Sequence, residues 1–407
     1  MVDKYIDLLL HKCSRIDRSH SLLIHYSVEI KDFIDKIVSR VRMLGVNDIY
    51  LDSFDIYEEH DYLLHHTMEE IETSKYFDKS IWDEYAKKDA CFLIFETEYP
   101  HVMDDVPSDK IGLSAKIKRE SRLLYRKKVE KCELSWCIAA YPGKVWANSI
   151  FEGEDSYQKL MDAIFRMCMV NVDNPNEKWE KFLDRQGKIQ EYLNQLGLEK
   201  LHYYNSLGTD LEIYLPDGYL FSSALDNDVI VNMPSYEVFA SPIYNKTKGI
   251  VYSSRPLMYQ GALIDKFWIR FDEGRVVSYD AELGRDVLKS IIDSDSNSCY
   301  LGECAFVEVT SPIAKEGIIY KTTLIDENAS CHLALGAGFG ECIRDGLQFS
   351  DEELLKHGIN VSKNHVDFMI GTDDMMIDGI RKDGSVVSIF KNGKFSQDIV
   401  SDGYDVL

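Results

Sequence analysis

The sequence predicts an α/β N-terminal domain with an open, largely parallel sheet, joined to an α+β, β-rich C-terminal domain. Three observations lead there. The first half alternates short apolar runs with longer stretches of helical period. A helix opened by Pro175 and closed near Gly197 separates the halves. Beyond it, runs rich in β-branched and aromatic residues, punctuated by tight-turn signals, dominate.

In the first half, Ser21 to Tyr26 (SLLIHY), Asp48 to Phe54 (DIYLDSF), Cys91 to Glu96 (CFLIFE) and Glu133 to Tyr141 (ELSWCIAAY) have the aliphatic and aromatic content of strands. Between them, Glu29 to Leu44, Glu58 to Lys75 and Ser108 to Lys131 carry helical periodicity. The domain boundary is placed after the Pro-started helix, giving domains of residues 1–198 and 199–407. In the second half TDLEIYLPDG, GIVYSS, FWIRFDEGRVVSYD, CAFVEV, GIIYKTT, NHVDFMIG and SVVSIFKNGKF read as strands, with DEG and KNG as hairpin turns. Helices are expected near Glu282 to Ile292, Ala329 to Arg344 and Asp351 to Lys356.

A chain of 407 residues exceeds what one core usually organises, and its 45% hydrophobic content is that of a globular protein. No apolar run approaches the ~18 residues a membrane span needs. The apolar patch at Ile6 to Leu10 contains Asp7 and is followed by no small-residue cleavage site, so no export signal is read. Nine cysteines, an odd number spread without a paired framework, fit a reducing compartment, and the cytoplasm is the expected location. A net charge of −23 argues against a nucleic-acid partner, because phosphate affinity comes from lysine and arginine. Sixty-nine acids against 46 cations leave carboxylates free to hold metal ions, although an acidic surface by itself serves only solubility.

Histidine placement narrows the search. Of 11 histidines only His332, His357 and His365 lie beyond position 202. His357 precedes Gly358 at a helix C-terminus, where a cation favours the dipole, and that accounts for it. His365 and Asp367 stand two apart in NHVDFMIG, so on a strand both project from one face and could serve one ion. His332 is expected to open a helix of small residues in DENASCHLALGAGFG, with Asp326 and Glu327 just upstream and Asn328 or Ser330 as cap. Small residues beside His and Glu would let backbone approach an ion or a substrate closely. Glu237, in NMPSYEVFASP, and Glu303, in YLGECAFVEV, sit where the pattern calls for apolar residues; buried there, each needs a cation or a proton. Glu237, Glu303, Glu327, His332, His365 and Asp367 thus offer four carboxylates and two imidazoles, a charge that matches two divalent cations. Two such ions roughly 3.5 to 4 Å apart can hold one water as hydroxide while polarising a carbonyl. Mixed sets of this kind accept zinc, cobalt or manganese.

The segments SLGTDLEIYLPDG, NMPSYEVFASP, SSRPLMYQGALI, DENASCHLALG and NHVDFMIG, in this order and spacing, closely resemble the M29 family of bacterial aminopeptidases. WCIAAYPGKVWA extends the resemblance into the first half, so it covers essentially the whole chain. It implies hydrolysis of N-terminal residues from short peptides. It also implies a dinuclear centre in which Glu303 bridges both ions and Glu237, Glu327, His332, His365 and Asp367 complete their shells. A homodimer enclosing its active sites is implied as well. Glu237 is favoured as the proton shuttle, and Arg255, in SSRPL, as a ligand of substrate or of an acid in the cluster. The chain departs from the family at Phe339, where the pattern has a tyrosine expected at the metal centre as ligand or hydrogen-bond donor. A non-catalytic or altered metal-binding homologue is the alternative that this change raises. A dinuclear phosphoesterase would want more basic groups than Arg255.

Two other motifs are set aside. GAGFG at 336–340 lacks the strand context and spacing of a phosphate loop. His60, His65 and His66 lie with Glu69 and Glu70 on what reads as a solvated helix face.

Overall fold

The computed structural model describes residues 1–226, 228–259, 261–396 and 399. The chain divides into two compact units, Met1–Asn176 with Leu225–Pro234, and Glu177–Ala224 with Ser235–Leu407.

The first unit is built on a five-stranded sheet in the order Asn232–Met233, Trp136–Ala140, Cys91–Glu96, Leu22–Ser27, Ile49–Phe54. Every pairing in it is parallel. The four long strands are those expected from their apolar runs. Two of the expected helices are each broken in two. The first divides into Ile56–His65 and Met68–Thr73, because Thr67 forms a capping box with Glu70 and starts a new helix. The second divides into Ser108–Glu120 and Leu123–Glu130, with Ser121 accepting a hydrogen bond from the Lys79 amide at the break. The apolar patch near the N-terminus belongs to a helix, Val2–Leu8, whose continuation over Leu9–Cys13 buries Leu9, Leu10 and Cys13.

Two antiparallel sheets make the second unit. One has nine strands, and its Ala262–Asp272/Arg275–Leu283 and Val386–Lys391/Lys394–Phe395 hairpins turn at DEG and KNG. Both turns take left-handed backbone at their two central residues, Glu273 and Gly274, and Asn392 and Gly393. The other sheet runs His365–Met369, His332–Gly336, Leu301–Phe306, Val238–Ala240, Ser222–Ser223. One face of this shorter sheet carries Cys304, Phe306, Leu333, Leu335, Val366 and Phe368 into the core. There Phe306 meets Tyr203 and Phe390, and Phe368 meets Phe267, all from the nine-stranded sheet. The helix Pro175–Gln195 buries Trp179, Phe182, Gln186, Ile189 and Leu193, a stripe at alternating steps of three and four.

The helix expected over 329–344 is absent: His332–Gly336 is a strand, paired on both sides in its sheet and buried on both faces. A central strand shows no alternation, and a run of Ala and Gly imitates a helix former. The small residues serve close backbone approach instead. A Cβ on Gly302 would lie 2.0 Å from the Ala337 carbonyl oxygen, and one on Gly336 would lie 2.1 Å from that of Asn364.

Candidate metal centre

The face of the shorter sheet opposite the core gathers the acids and histidines. Strand register puts Glu303, Ala334 and Asp367 in one row across three neighbouring strands. Side chains paired in this way share a face, and residues two apart share it too. His332 and His365 therefore join the row's side. Glu237 directly precedes Val238, which faces the core, and so points to the same side. Ala334 matters by its size: in that row only a methyl group stands between Glu303 and Asp367.

Two groups of ligand atoms, each with all members within 4.8 Å of one another, result: Glu237, Glu303 and His332, and Glu303, His365 and Asp367. Glu303 belongs to both. His332 Nε2 lies 3.0 Å from Glu237 Oε2, and His365 Nε2 lies 3.1 Å from Glu303 Oε2 and 3.3 Å from Asp367 Oδ1. His365 Nδ1 faces the Ala337 carbonyl at 2.7 Å and His332 Nδ1 that of Ser330 at 3.3 Å. A proton on Nδ1, donated to the carbonyl, leaves Nε2 as the coordinating nitrogen. Asp367 Oδ1 is buried and faces His365 Nε2 at 3.3 Å, too loosely for a good hydrogen bond, so it keeps acceptor capacity for a cation.

Electrostatics describe a site short of positive charge. Burial, only partly offset by His365 and reinforced by Asp367 and Glu237, pushes the Glu303 carboxyl up to about 7. Burial and then Asp367 and Glu237 carry Glu327 well above the usual carboxylate range. Burial disfavours the His332 imidazolium, yet Glu237, Glu303 and Asp367 overcome it and lift its pKa to about 10. Asp367 and Glu303 likewise raise His365 against its burial. Asp367 resists burial and stays below its ordinary value because His365 and His332 face it. Protons on the two imidazoles thus occupy the electrostatic role that divalent cations would fill, and the donor set suits such ions in number, charge and type.

Glu327 is buried among these groups but stands outside both triads. Its neighbour Asp326, equally close in sequence, instead accepts from the Tyr320 and Lys321 amides at 2.7 and 2.8 Å and closes a turn. Arg255 is half-buried, and the acids acting on it are Asp326 and Asp373. Phe339 does lie at the site, its ring 5.0 Å from that of His365 and 5.4 Å from that of Phe239. His357 stacks on Phe349 at its helix end and belongs to neither group of ligand atoms. Sequence reasoning does not single out Gln186, and it offers Asn328 only as one of two candidate helix caps, beside Ser330. Asn328 is fully buried, accepts from the Tyr236 amide and donates toward Glu327. The one signal for Gln186 is an amide in the middle of an otherwise apolar helix stripe.

A parallel α/β unit, a unit of stacked antiparallel sheets and a buried carboxylate–imidazole cluster with one shared glutamate define a metallohydrolase. The profile described as thermophilic metalloprotease (M29) matches residues 1–395. Aminopeptidase AmpS of Bacillus subtilis is 33% identical over 405 residues, 97% of this chain and 98% of the relative. Aminopeptidase 2 of Geobacillus stearothermophilus is 32% identical, with 97% of each chain covered. The solved structure of wild-type AmpT from Thermus thermophilus superposes with a TM-score of 0.87 at 25% identity, covering 97% of this chain and 98% of that one. The chain belongs to the M29 family of metallopeptidases.

Proposed function

We propose that the protein is an aminopeptidase that removes N-terminal residues from short peptides, using two divalent cations with Glu303 shared between them. Zinc, cobalt and manganese all suit the donors. The observation that carries this reading is the membership of Glu303 in both triads, within a chain whose relatives are named aminopeptidases. Glu237 and His332 hold one side, His365 and Asp367 the other, and Glu327 closes the cluster. Two cations there would lower the pKa of a water and polarise the scissile carbonyl.

The remaining work falls to the chain. The Ala337 and Ser330 carbonyls fix both imidazoles with Nε2 inward. Glu237 passes the proton from water to the leaving amine. Glu327, outside both triads, is the rival for that role, and Glu237→Gln compared with Glu327→Gln at saturating zinc decides between them: the shuttle variant loses more kcat than its loss of bound metal accounts for. Arg255 is proposed to contact substrate. Nine cysteines, none of them paired, are consistent with a cytoplasmic protein, and among the described residues no helix is long and apolar enough to cross a membrane. The homodimer implied by the family is tested by light scattering on the purified chain.

A second reading, a homologue with lost or altered activity, is favoured by Phe339, which offers no hydroxyl beside His365. One experiment separates the two. Metal-stripped protein is given zinc, cobalt or manganese and a panel of short peptides with free or blocked N-termini, beside Phe339→Tyr. Metal-restored cleavage confined to free N-termini supports the aminopeptidase. Silence in the natural protein with activity in the variant supports the second reading; a missing donor of this type costs about 10² to 10³ in rate.

A further inference from the structure

We propose that Asn328 and Gln186 form a clamp that positions the two glutamates Glu237 and Glu327 for metal binding; the inference rests on the dinuclear reading above. Asn328 adjoins Glu327 in sequence and is wholly buried. Its Oδ1 accepts a hydrogen bond at 2.6 Å from the backbone N–H of Tyr236, the residue directly before Glu237. Its Nδ2 donates to the Leu324 carbonyl at 3.3 Å and toward Glu327 Oε1 at 3.4 Å. Ser311 Oγ donates to the Asn328 carbonyl at 3.0 Å and fixes the backbone from which the amide extends. One side chain therefore ties two segments 92 residues apart, each bearing a glutamate of the cluster.

Gln186 grips the same segment from the other side. Its Nε2 donates to the carbonyls of Tyr236 at 3.0 Å and Glu237 at 3.3 Å. The neighbouring helix residues Trp179 and Phe182 pack on the Tyr236 ring at 5.8 and 5.3 Å. Gln186 Oε1 has no hydrogen-bond partner although the residue is buried. Burying an amide with one end unsatisfied carries a desolvation cost that an apolar side chain in the stripe would not. Its contribution is the direction it gives to the Glu237 backbone. Both residues act through the ligands and touch neither substrate nor ion, so they are positioning residues. Partners of this kind typically hold about 10- to 100-fold of metal affinity.

The test is zinc affinity by competition with a chromophoric chelator, on full-length parent, Asn328→Leu and Gln186→Leu. Thermal unfolding is measured with and without zinc. The clamp predicts about 10- to 100-fold weaker zinc binding in either variant and a smaller zinc-induced rise in unfolding temperature. A merely structural role lowers unfolding temperatures with and without zinc by equal amounts and leaves the affinity of folded protein unchanged, which would overturn the clamp. Should Asn328→Leu not fold, Gln186→Leu decides the question alone, since filling its stripe with leucine preserves the core. Absence of zinc binding in the parent would overturn the dinuclear reading together with the clamp; parental affinity in folded variants overturns the clamp only.

Discussion

Replacing Glu303 with glutamine should do two opposite things at once. Without metal, the Glu303 carboxyl is raised to about 7, chiefly by burial. A carboxyl raised in the folded state contributes stability below its unfolded pKa and loses it as pH rises through the folded value. At pH 8 the ionised side chain therefore costs the metal-free fold about 3 kcal/mol, since each tenfold change in proton affinity corresponds to roughly 1.4 kcal/mol. Glutamine removes that cost, and with it the support Glu303 gives the imidazoliums of His332 and His365, so the figure is an upper bound. For a domain of this size, about 2–4 °C accompanies each kcal/mol, so the metal-free variant should unfold above the parent at pH 8, by at most about 12 °C, and near it at pH 4. With metal the order reverses. Glu303 belongs to both triads, so its loss removes a ligand from each and leaves three carboxylates to balance four positive charges. Zinc should raise the unfolding temperature of the parent and hardly move that of the variant, and peptidase activity should vanish. Scanning calorimetry at the two pH values, with and without zinc, reads all of this. A variant that gains as much from zinc as the parent does would refute the shared-glutamate centre, whatever its activity.

Three further outcomes follow from the same geometry. Ala334→Leu, which fills the gap between Glu303 and Asp367 in the strand row, should cost about 1–3 kcal/mol by overpacking and abolish metal uptake; equilibrium dialysis that finds bound zinc would show that the ions sit elsewhere. Metal affinity should climb as pH rises from about 6 toward 9, because His332, lifted to about 10, and Glu303, near 7, must release protons to coordinate. Titration calorimetry in buffers of different ionisation heat should then record proton release, and its absence would mean that the imidazoles are not ligands. In the first unit, Asp52 accepts from His25 Nδ1, Lys79 Nζ and Trp82 Nε1 at 2.8, 2.7 and 2.9 Å. Asp52→Ala strands a mostly buried lysine and should cost about 3–5 kcal/mol in denaturant unfolding while leaving metal affinity untouched; a loss under about 1 kcal/mol would contradict the network.

Much of the fold was legible because its signals are local. Apolar runs of strand length between helical stretches determined the parallel sheet, and DEG and KNG determined two hairpins, since the left-handed backbone at the second central residue of each turn selects Gly. His365 and Asp367 were readable as a pair because the period of a strand puts residues two apart on one face. Glu237 and Glu303 stood out as charges inside apolar patterns, for which burial demands a partner. The family blocks added the membership of the set.

Other features were decided only in three dimensions. His332 was read at the head of a helix, because a fully buried strand of small residues carries no period of its own; its pairing on both sides makes it a strand and aims the imidazole at Glu237. Asp326 and Glu327 are interchangeable in sequence, and only the Tyr320–Lys321 turn takes Asp326 away from the cluster. Asn328 reads in sequence as one of two candidate caps and Gln186 carries no reading at all, and their shared hold on the Tyr236 backbone, by its N–H and its carbonyl, exists only where a helix, a loop and a strand meet. Residue type is a local property and shows which side chains can bind a cation. Which of them share an ion, and what holds them in place, depends on contacts between distant segments, which strand register and packing alone create.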